Sequence, residues 1–294
     1  MTPQRPSVST RLRRAVHHAL GRSPHVDLHT WTLETPRLPL GHPGLRIAHM
    51  TDLHVGRVTP EARLDAAVEA VNALQPDVVC LTGDYVSHSL RYLTRLERAL
   101  SRLEAPAFAV YGNHDHWNGA DAVGRALAQA GVRMLVNETA RLTVRGAPWR
   151  LVGLDDPVTK NHDVAAAFRD PDMTVPLVVL SHLAEATHEF ATHDPALVLS
   201  GHTHGGQVRT GGLVDHLLRR LGHAYIIGWY TVDRVPVYVN RGLGAAVFPW
   251  RTHHAAPEVA YIEIGPYGAD EAPLPSDSRV SRRKPFDKSG VLED

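Results

Sequence analysis

The feature that most limits the fold is a series of short apolar segments separated by longer stretches of mixed character. The segments are Leu45–Met50, Asp77–Thr82, Ala107–Tyr111, Val175–Leu180 and Ala196–Ser200. A strand that is apolar on both faces belongs to the interior of a sheet whose two faces are covered. The segments therefore predict buried strands of an α/β protein.

Three of the stretches next to these strands have the periodicity of an amphipathic helix. In Pro60–Leu74 the apolar residues recur at helical spacing and mark one face. Further helices are predicted at Leu90–Leu103 and Ala120–Ala130. Because strands that alternate with helices form βαβ units, we expect helices on the outside of the sheet.

A second group of strands is separated by short turns, which indicates antiparallel pairing. These strands are Ala140–Val144, Arg150–Leu154, Gly228–Val232, Val235–Asn240 and Val259–Ile264. Together with the apolar segments they predict one α/β domain over residues 45–264, with two packed sheets and helices outside.

The segments on either side of this domain differ from it in composition. Residues 1–44 are predicted to form a basic, proline-rich arm, in which Leu12, Val16 and Leu20 recur every four residues among arginines. A short basic helix of this kind either lies on an anionic membrane surface or packs against the body of the protein. Residues 265–294 are rich in proline, serine and charge, so we expect a disordered tail there.

The composition excludes several classes of protein. Basic and acidic residues number 31 each, so the formal net charge is zero, which argues against binding of long nucleic acid. The single cysteine, Cys80, cannot form an internal disulfide and is expected to be buried. No apolar run approaches the roughly 20 residues that span a bilayer, and residues 1–22 lack the apolar core of a secretory signal. We expect a cytoplasmic protein, either free or held at the inner membrane face by the basic helix.

Histidine is abundant, with 20 residues, so short histidine motifs arise by chance. The position of a motif relative to a predicted strand therefore decides whether it indicates a functional site. Asp-Leu-His occurs at Asp27–His29 and at Asp52–His54, and Asn-His-Asp occurs at Asn113–Asp115 and at Asn161–Asp163. In each pair, only the copy that begins at Asp52 or at Asn113 follows a predicted buried strand. Because strand C-termini meet at one edge of an open α/β sheet, we expect such strand-end motifs to converge.

Seven residues at or near strand ends have side chains that bind metals. They are Asp52, His54, Asp84, Asn113, His182, His202 and His204. Carboxylate, amide and imidazole ligands without thiolate suit Mn, Fe or Zn and disfavour a closed structural zinc site. Seven ligands exceed the number that one tetrahedral ion with an open position takes, so they predict two divalent metal ions. Two such ions about 3.5–4 Å apart hold both the attacking and the leaving oxygen of a displacement at phosphorus.

The order of these motifs resembles that of the calcineurin-like metallophosphoesterases. The motifs are Asp-x-His from residue 52, Gly-Asp from 83, Gly-Asn-His-Asp from 112, a histidine after a strand at 182, and Gly-His-x-His from 201. The resemblance covers about residues 45–264 and implies a four-layer α/β/β/α sandwich of two mixed β-sheets flanked by helices. Residues 201–207 and 239–244 look most like the YkuE/YaeI-type branch, which is related to some UDP-2,3-diacylglucosamine pyrophosphatases.

The resemblance also implies a role for each ligand. The first metal ion is expected on Asp52, His54 and His204. The second is expected on Asn113, His182 and His202. Asp84 would bridge the two ions.

The resemblance implies that a hydroxide bridging the two ions is the nucleophile and that His114 is the catalytic residue. His114 would stabilise or protonate the leaving oxygen, for which it needs hydrogen-bond reach. Asp115 either orients His114 or caps the turn.

The expected reaction is hydrolysis of a phosphodiester, a pyrophosphate or a phosphomonoester. Residues close in sequence to the ligand motifs are candidates for substrate contact, namely His116, Gln207, Arg209, Arg241 and Arg251. Arginine binds phosphate well, although ordinary packing explains such residues equally well. The leucine-rich stretch 213–221, with Arg219 and Arg220, is either a packed helix or a surface for an acyl chain, so a lipid-linked or nucleotide-sugar substrate is one hypothesis.

Three alternatives stay open at this point. A nucleotide phosphodiesterase or nuclease would use the same site. A non-catalytic metal-binding scaffold would be expected to lack a ligand or His114, whereas all eight positions are filled. A peripheral membrane-binding protein with an incidental metal site would bind vesicles through residues 1–22 without turnover.

Overall fold

The structure of the chain is a computed structural model. It describes residues 24–170, 172, 174–207, 212–246, 251–252, 255–267 and 279–282. The basic helix predicted around residues 12–20 and the candidate substrate contact Arg209 lie outside these residues.

The described residues form β-strands and α-helices that alternate over much of the chain. The strands are β1 Asp27–Glu34, β2 Leu45–Met50, β3 Val78–Thr82, β4 Ala107–Val110, β5 Val132–Met134, β6 Glu138–Val144, β7 Ala147–Gly153, β8 Leu177–Leu180, β9 Leu197–Ser200, β10 Gly228–Val232, β11 Val235–Val239, β12 Glu258–Gly265 and β13 Arg279–Arg282. The α-helices are α1 Glu61–Leu74, α2 Leu93–Leu100, α3 Asn113–Asn118, α4 Ala120–Gln129, α5 Val164–Ala167, α6 Thr187–Phe190 and α7 Gly212–Arg220.

The first sheet has the strand order β13-β1-β12-β2-β3-β4-β5. Strands β2 to β5 are parallel, and α1, α2 and α4 lie between them in the chain. The remaining strands make the sheet mixed, since β12 runs antiparallel to β2 and β1 runs parallel to β12. The parallel part brings the C-terminal ends of β2, β3 and β4 to one edge.

The second sheet has the order β10-β11-β9-β8-β7-β6. Strands β7, β8, β9 and β11 are parallel, and each edge of the sheet is completed by an antiparallel hairpin partner. In the β10–β11 hairpin, Asp233 and Arg234 both have a positive φ, as a two-residue turn of type I′ requires. The antiparallel pairing expected at this turn is confirmed.

Three apolar clusters separate the layers. The central cluster contains residues of both sheets, such as Ile47 and Trp149, and so fills the space between them. A second cluster joins the first sheet to its helices, with Val68 of α1 among its members. The third joins the second sheet to residues such as Phe190 of α6. The layers are therefore α/β/β/α, with two mixed sheets between helices, as expected.

Two expectations for the flanking segments need correction. Residues 27–34 of the expected arm form β1, and residues 279–282 of the expected tail form β13, which pairs with β1. In β1 only Thr30 and Leu33 are buried, so this strand lacks the continuous apolar character of the central strands. The short strand β5 was not expected. The helix predicted from Leu90 begins at Leu93, after a 3₁₀ turn over Leu90–Tyr92. The domain limits at 45 and 264 stay a prediction.

Among the residues that the structure describes, no helix is long and apolar enough to cross a membrane.

Candidate metal centre

The predicted ligands come from strand ends of both sheets and meet where the sheets face each other. Asp52 and His54 follow β2, Asp84 follows β3, and Asn113 follows β4 in the first sheet. His182 follows β8, and His202 and His204 follow β9 in the second sheet. Residues that are 150 positions apart in the chain therefore lie side by side.

Four of the ligands form a compact buried group. One ligand atom from each of Asp52, His54, Asp84 and His204 lies within 4.8 Å of the others. His54 Nε2 is 3.0 Å from His204 Nε2, and His204 Nε2 is 3.3 Å from Asp52 Oδ1. Two imidazole nitrogens this close to each other and to carboxylates have the donor chemistry of a divalent cation site.

Asp84 lies between this group and a second group of imidazoles. Its Oδ2 is 3.4 Å from His54 Nε2 and 3.5 Å from His182 Nε2. His182 Nε2 is in turn 3.2 Å from His202 Nδ1. One carboxylate oxygen therefore lies within 3.5 Å of a nitrogen from each group.

Two buried oxygens in the centre have no hydrogen-bond partner among the described residues. They are Asp52 Oδ1 and Asn113 Oδ1. An orphaned buried acceptor costs free energy of about 1–3 kcal/mol, whereas a cation would satisfy it. The residues present therefore fit divalent cations.

Burial sets the charge of most of the imidazoles. It lowers the pKa of His54 and of His202 to about 3 and that of His204 well below its ordinary value. These rings are therefore neutral and keep a lone pair for a metal. For His182, burial acts in the same direction, but the Asp84 and Asp52 carboxylates outweigh it and raise the pKa to about 10. A bound cation would take the place of that proton.

The backbone at the ligands is held in an unusual conformation. Asp52, His54, Asp84, His202 and His204 have φ values of 49°, 42°, 57°, 71° and 54°. This left-handed region is uncommon for residues other than glycine and costs of order 1 kcal/mol or more each. Residues held there by their surroundings mark a functional site in many proteins.

Glycines give the ligand loops the room to approach each other. A Cβ on Gly201 would overlap Thr51 Oγ1 and Asp52 Oδ2, and a Cβ on Gly112 would overlap Asp84 Oδ1. Only glycine therefore lets the β9 loop lie against Asp52 and the β4 loop against Asp84.

Hydrogen bonds orient the ligands from behind. His182 Nδ1 donates to the backbone oxygen of Thr82 at 2.6 Å, which leaves Nε2 as the ligand atom. The backbone N–H of His202 donates to Asp52 Oδ2 at 3.1 Å, so Oδ1 is the carboxylate oxygen that faces the centre.

His114 lies beside the ligands without belonging to either group. Its backbone N–H donates to Asp84 Oδ1 at 2.8 Å, and its Nδ1 donates to the backbone oxygen of Ser87 at 2.8 Å. The ring lies 4.9 Å from that of His54, measured between centroids, and is half-buried. Nε2 is thus the ring nitrogen left for chemistry.

Asp115 caps the turns that carry the ligands. Its Oδ2 accepts the backbone N–H groups of Asp84 and Gly112 at 2.8 and 3.0 Å, and its Oδ1 accepts that of Tyr85 at 2.8 Å. Of the two roles considered from the sequence, these bonds belong to the capping role.

The candidate substrate contacts differ in their surroundings. His116 Nε2 is 2.7 Å from Asp155 Oδ1 at the rim. Gln207 is buried and its Oε1 accepts the backbone N–H of Ala246 at 3.3 Å. Neither position by itself identifies a substrate contact.

Two of the candidate arginines make hydrogen bonds within the protein. Arg241 Nε donates to the buried carboxylate of Glu258 at 2.5 Å. The buried Arg251 donates to the backbone oxygens of His204 at 3.1 Å and Ala255 at 2.6 Å, and also to that of Gly244. Arg251 therefore positions the backbone around His204, and phosphate binding by either arginine stays a prediction.

Two residues that contact predicted site residues are not predicted from the sequence. Asp155, the partner of His116, follows β7, so the strand-end rule that found the ligands applies to it as well. His223 lies with its ring 5.0 Å from that of His202, and no local pattern in the sequence indicates this contact.

Comparison with known proteins gives a family and several relatives. A family model described as calcineurin-like phosphoesterase matches residues 45–206, more than half of the 294 residues. The chain is 28% identical over 248 residues to the uncharacterized metallophosphoesterase YkuE of Bacillus subtilis (strain 168), covering 82% of this chain and 86% of that protein.

Two further relatives are named for an activity. The chain is 28% identical over 225 residues to the phosphodiesterase YaeI of Escherichia coli (strain K12), covering 74% of this chain and 82% of that protein. It is 28% identical over 257 residues to the UDP-2,3-diacylglucosamine pyrophosphatase LpxG of Chlamydia trachomatis serovar D, covering 68% of this chain and 78% of that protein.

Proposed function

The chain belongs to the calcineurin-like phosphoesterase family of hydrolases, and on that premise we propose that it hydrolyses phosphodiester or pyrophosphate bonds with two divalent metal ions. The observation that carries the proposal is the position of Asp84. Its Oδ2 is 3.4 Å from Nε2 of His54 in one group of predicted ligands and 3.5 Å from Nε2 of His182 in the other. This arrangement supports a shared carboxylate between two cations.

The residues divide into two sets around that carboxylate. Asp52, His54 and His204 would hold one cation, and Asn113, His182 and His202 the other. The donor set, oxygen and imidazole without thiolate, favours Mn, Fe or Zn. Bound cations supply Lewis-acid stabilisation of phosphoryl oxygens and lower the pKa of an attacking water.

His114 is our candidate for the catalytic acid. Ser87 accepts the Nδ1 hydrogen of the ring, so the ring is oriented and Nε2 is the atom that would hold a proton for the leaving oxygen. The backbone N–H of His114 donates to Asp84 Oδ1, which ties the position of the acid to that of the shared carboxylate. Such general acid catalysis contributes about 10²–10⁴-fold in rate.

For the substrate, we propose a small phosphodiester or a pyrophosphate of a lipid-linked or nucleotide-sugar kind. The phosphodiesterase activity of YaeI and the pyrophosphatase activity of LpxG, as their names give them, support these two bond types. The formal net charge of zero supports a small substrate over long nucleic acid. We also propose that the enzyme works in the cytoplasm at the inner membrane face.

The test is hydrolysis of bis(p-nitrophenyl) phosphate and p-nitrophenyl phosphate with added Mn²⁺, together with the metal content per chain. We expect turnover of the diester, two metal ions per chain in the wild type and fewer in Asp84→Asn. His114→Ala should keep the metals and lose about 10²–10⁴-fold in kcat.

The chain contains its own control for the His114 substitution. His162 stands in a second Asn-His-Asp sequence and pairs with Glu189 at 3.1 Å, so His162→Ala should retain wild-type turnover. One metal ion per chain in a fully active wild type would overturn the two-metal proposal. Equal loss in the His114 and His162 variants would overturn the role of His114.

A further inference from the structure

Helix α7 exposes large apolar side chains next to basic ones. Leu217 is 55% exposed and Leu221 is 67% exposed. Leu221 directly follows the helix, and its backbone N–H donates to the Leu217 oxygen at 3.0 Å, so the two side chains lie on the same side. Arg219 and Arg220 between them are exposed as well. We call these four residues the α7 surface. In an ordinary surface helix of a globular protein the leucines face the core, whereas these two face solvent.

The α7 surface stands beside the metal centre. The helix packs against the turn His204–Gly206, and the backbone N–H of His223, just after the helix, donates to the Leu218 oxygen at 2.9 Å. The His223 ring in turn lies 5.0 Å from that of His202. Glu185 holds the following segment, since its Oε1 accepts the backbone N–H of Ala224 at 2.7 Å. The position of α7 relative to the ligands is therefore set on both sides.

A third exposed apolar side chain also lies near the centre. Trp117 in α3 is 64% exposed, and its ring lies 5.0 Å from that of His114. The metal centre is thus bordered by exposed apolar groups from two separate elements. Leucine, arginine and tryptophan together are typical of the interfacial zone of a membrane, where leucine enters the acyl boundary, arginine meets phosphate and tryptophan lies at headgroup level.

We propose that the α7 surface and Trp117 dock the protein on an anionic phospholipid bilayer, with the metal centre facing the membrane. The surface area of three apolar side chains is far smaller than the roughly 800 Å² per partner that a stable protein interface buries. Reversible binding to a bilayer needs less area, because electrostatic attraction to anionic lipids adds to the buried apolar area. The arginines complement an anionic surface and strengthen binding to it. Docking is separate from the hydrolytic reaction and would bring the metal centre to the membrane surface.

The first test is flotation of the full-length protein with vesicles of phosphatidylcholine, with and without phosphatidylglycerol. We expect the wild type to float with the anionic vesicles and less with the neutral ones. The double variant Leu217→Ser/Leu221→Ser should lower the bound fraction by at least about tenfold, since it removes both leucines that would be buried in the acyl boundary. Circular dichroism and metal content establish that the variant is folded.

Leu40→Ser is the matched control. Leu40 is 73% exposed and precedes β2, at the opposite end of that strand from Asp52. It therefore lies away from the metal centre, and this variant should float like the wild type.

A second measurement tests Trp117 directly. Brominated phosphatidylcholine in anionic vesicles should quench a tryptophan signal in the wild type that is absent in Trp117→Phe. Equal quenching in both proteins would remove Trp117 from the docking face.

Binding through the basic segment at the start of the chain is the rival outcome. The full-length variant Arg11→Gln/Arg13→Gln/Arg14→Gln tests it. The proposal is wrong if the wild type fails to float, or if the arginine variant loses binding while the leucine variant keeps it. Turnover of the soluble diester by the wild type tests the proposed function separately, because it needs no vesicle.

Discussion

The carboxylate of Asp115 accepts the backbone N–H of Asp84 at 2.8 Å. Asp84 is the residue between the two groups of ligands, and its φ of 57° lies in the left-handed region. Asp115, which is not a predicted ligand, therefore fixes the backbone from which the Asp84 carboxylate projects.

Replacing Asp115 by Asn should damage both stability and metal binding. Both carboxylate oxygens accept backbone N–H groups, so an amide NH₂ would leave at least one buried donor without an acceptor. We expect a loss of about 1–3 kcal/mol in the free energy of unfolding and about 10–100-fold in Mn²⁺ affinity, measured by denaturation and calorimetry. The control is Asp163→Asn, because Asp163 caps α5 and Asn caps helices as well as Asp does.

Gly201→Ala should be harmful although it adds one methyl group. The Cβ would overlap Thr51 Oγ1 and Asp52 Oδ2, so the β9 loop or Asp52 must move. We expect about 1–3 kcal/mol of destabilisation and loss of diester turnover. Gly265→Ala is the matched control, because nothing lies within 4 Å of its Cβ position; equal effects of the two changes would argue against crowding at Asp52.

Chelation of metal should lower the melting temperature. The predicted ligands belong to two sheets, so cations bound between them would stabilise the folded state. The gain for one site is about 2.7 kcal/mol when the free metal concentration is a hundred times the Kd. We expect a higher Tm with Mn²⁺ than with EDTA by scanning calorimetry. Asp84→Asn should show a much smaller difference; an equal Tm of the wild type in the two buffers would contradict the predicted centre.

The His116–Asp155 pair should contribute stability that depends on pH. The hydrogen bond to Asp155 raises the pKa of His116 above 6.5, although burial opposes it. A raised folded-state pKa means that this contribution is fully present below pH 6.5 and is lost as the pH rises through the folded-state value. His116→Gln should therefore cost about 0.5–1 kcal/mol at acidic pH and less at alkaline pH.

Urea denaturation of the wild type and of His116→Gln, once below pH 6.5 and once at alkaline pH, measures this difference in the free energy of unfolding. A double-mutant cycle with Asp155→Asn isolates the pair from other changes at His116. A cost that grows with rising pH has the wrong sign for this interaction.

Cys80 should report on opening of the first sheet. It is the one cysteine of the chain, it is fully buried in β3, and burial raises the pKa of its thiol well above the ordinary value. We expect negligible reaction with a disulfide reagent in native buffer and one thiol per chain in guanidinium chloride. Rapid reaction of the folded protein would mean that β3 is accessible.

The sequence was most informative where a buried strand ends. The continuously apolar strands and the motifs after them are local patterns, and they located the ligand positions that the structure brings together around Asp84. The duplicate motif Asp27–His29 shows why position mattered. It lies in β1 rather than after a buried strand, and it has no place in the group of Asp52, His54, Asp84 and His204.

Features that depend on distant partners were not predictable in the same way. Strand β1 is stabilised by β12, with Asp27 opposite Glu258, and only two of its residues are buried. The role of Arg241 likewise depends on Glu258 in β12. An arginine near a ligand motif indicates phosphate binding when its carboxylate partner is unknown.

The division of the ligands between the two sheets also has a consequence for synthesis of the protein. A ribosome completes Asp52, His54, Asp84 and Asn113 well before His182, His202 and His204. The emerging chain therefore first carries an oxygen-rich half of the centre with a single imidazole, and the other three imidazoles arrive only with β8 and β9. Incorporation of the proposed metal ions would therefore be a late event that follows the meeting of the two sheets, and a chain that stops before residue 200 would lack the predicted ligands His202 and His204.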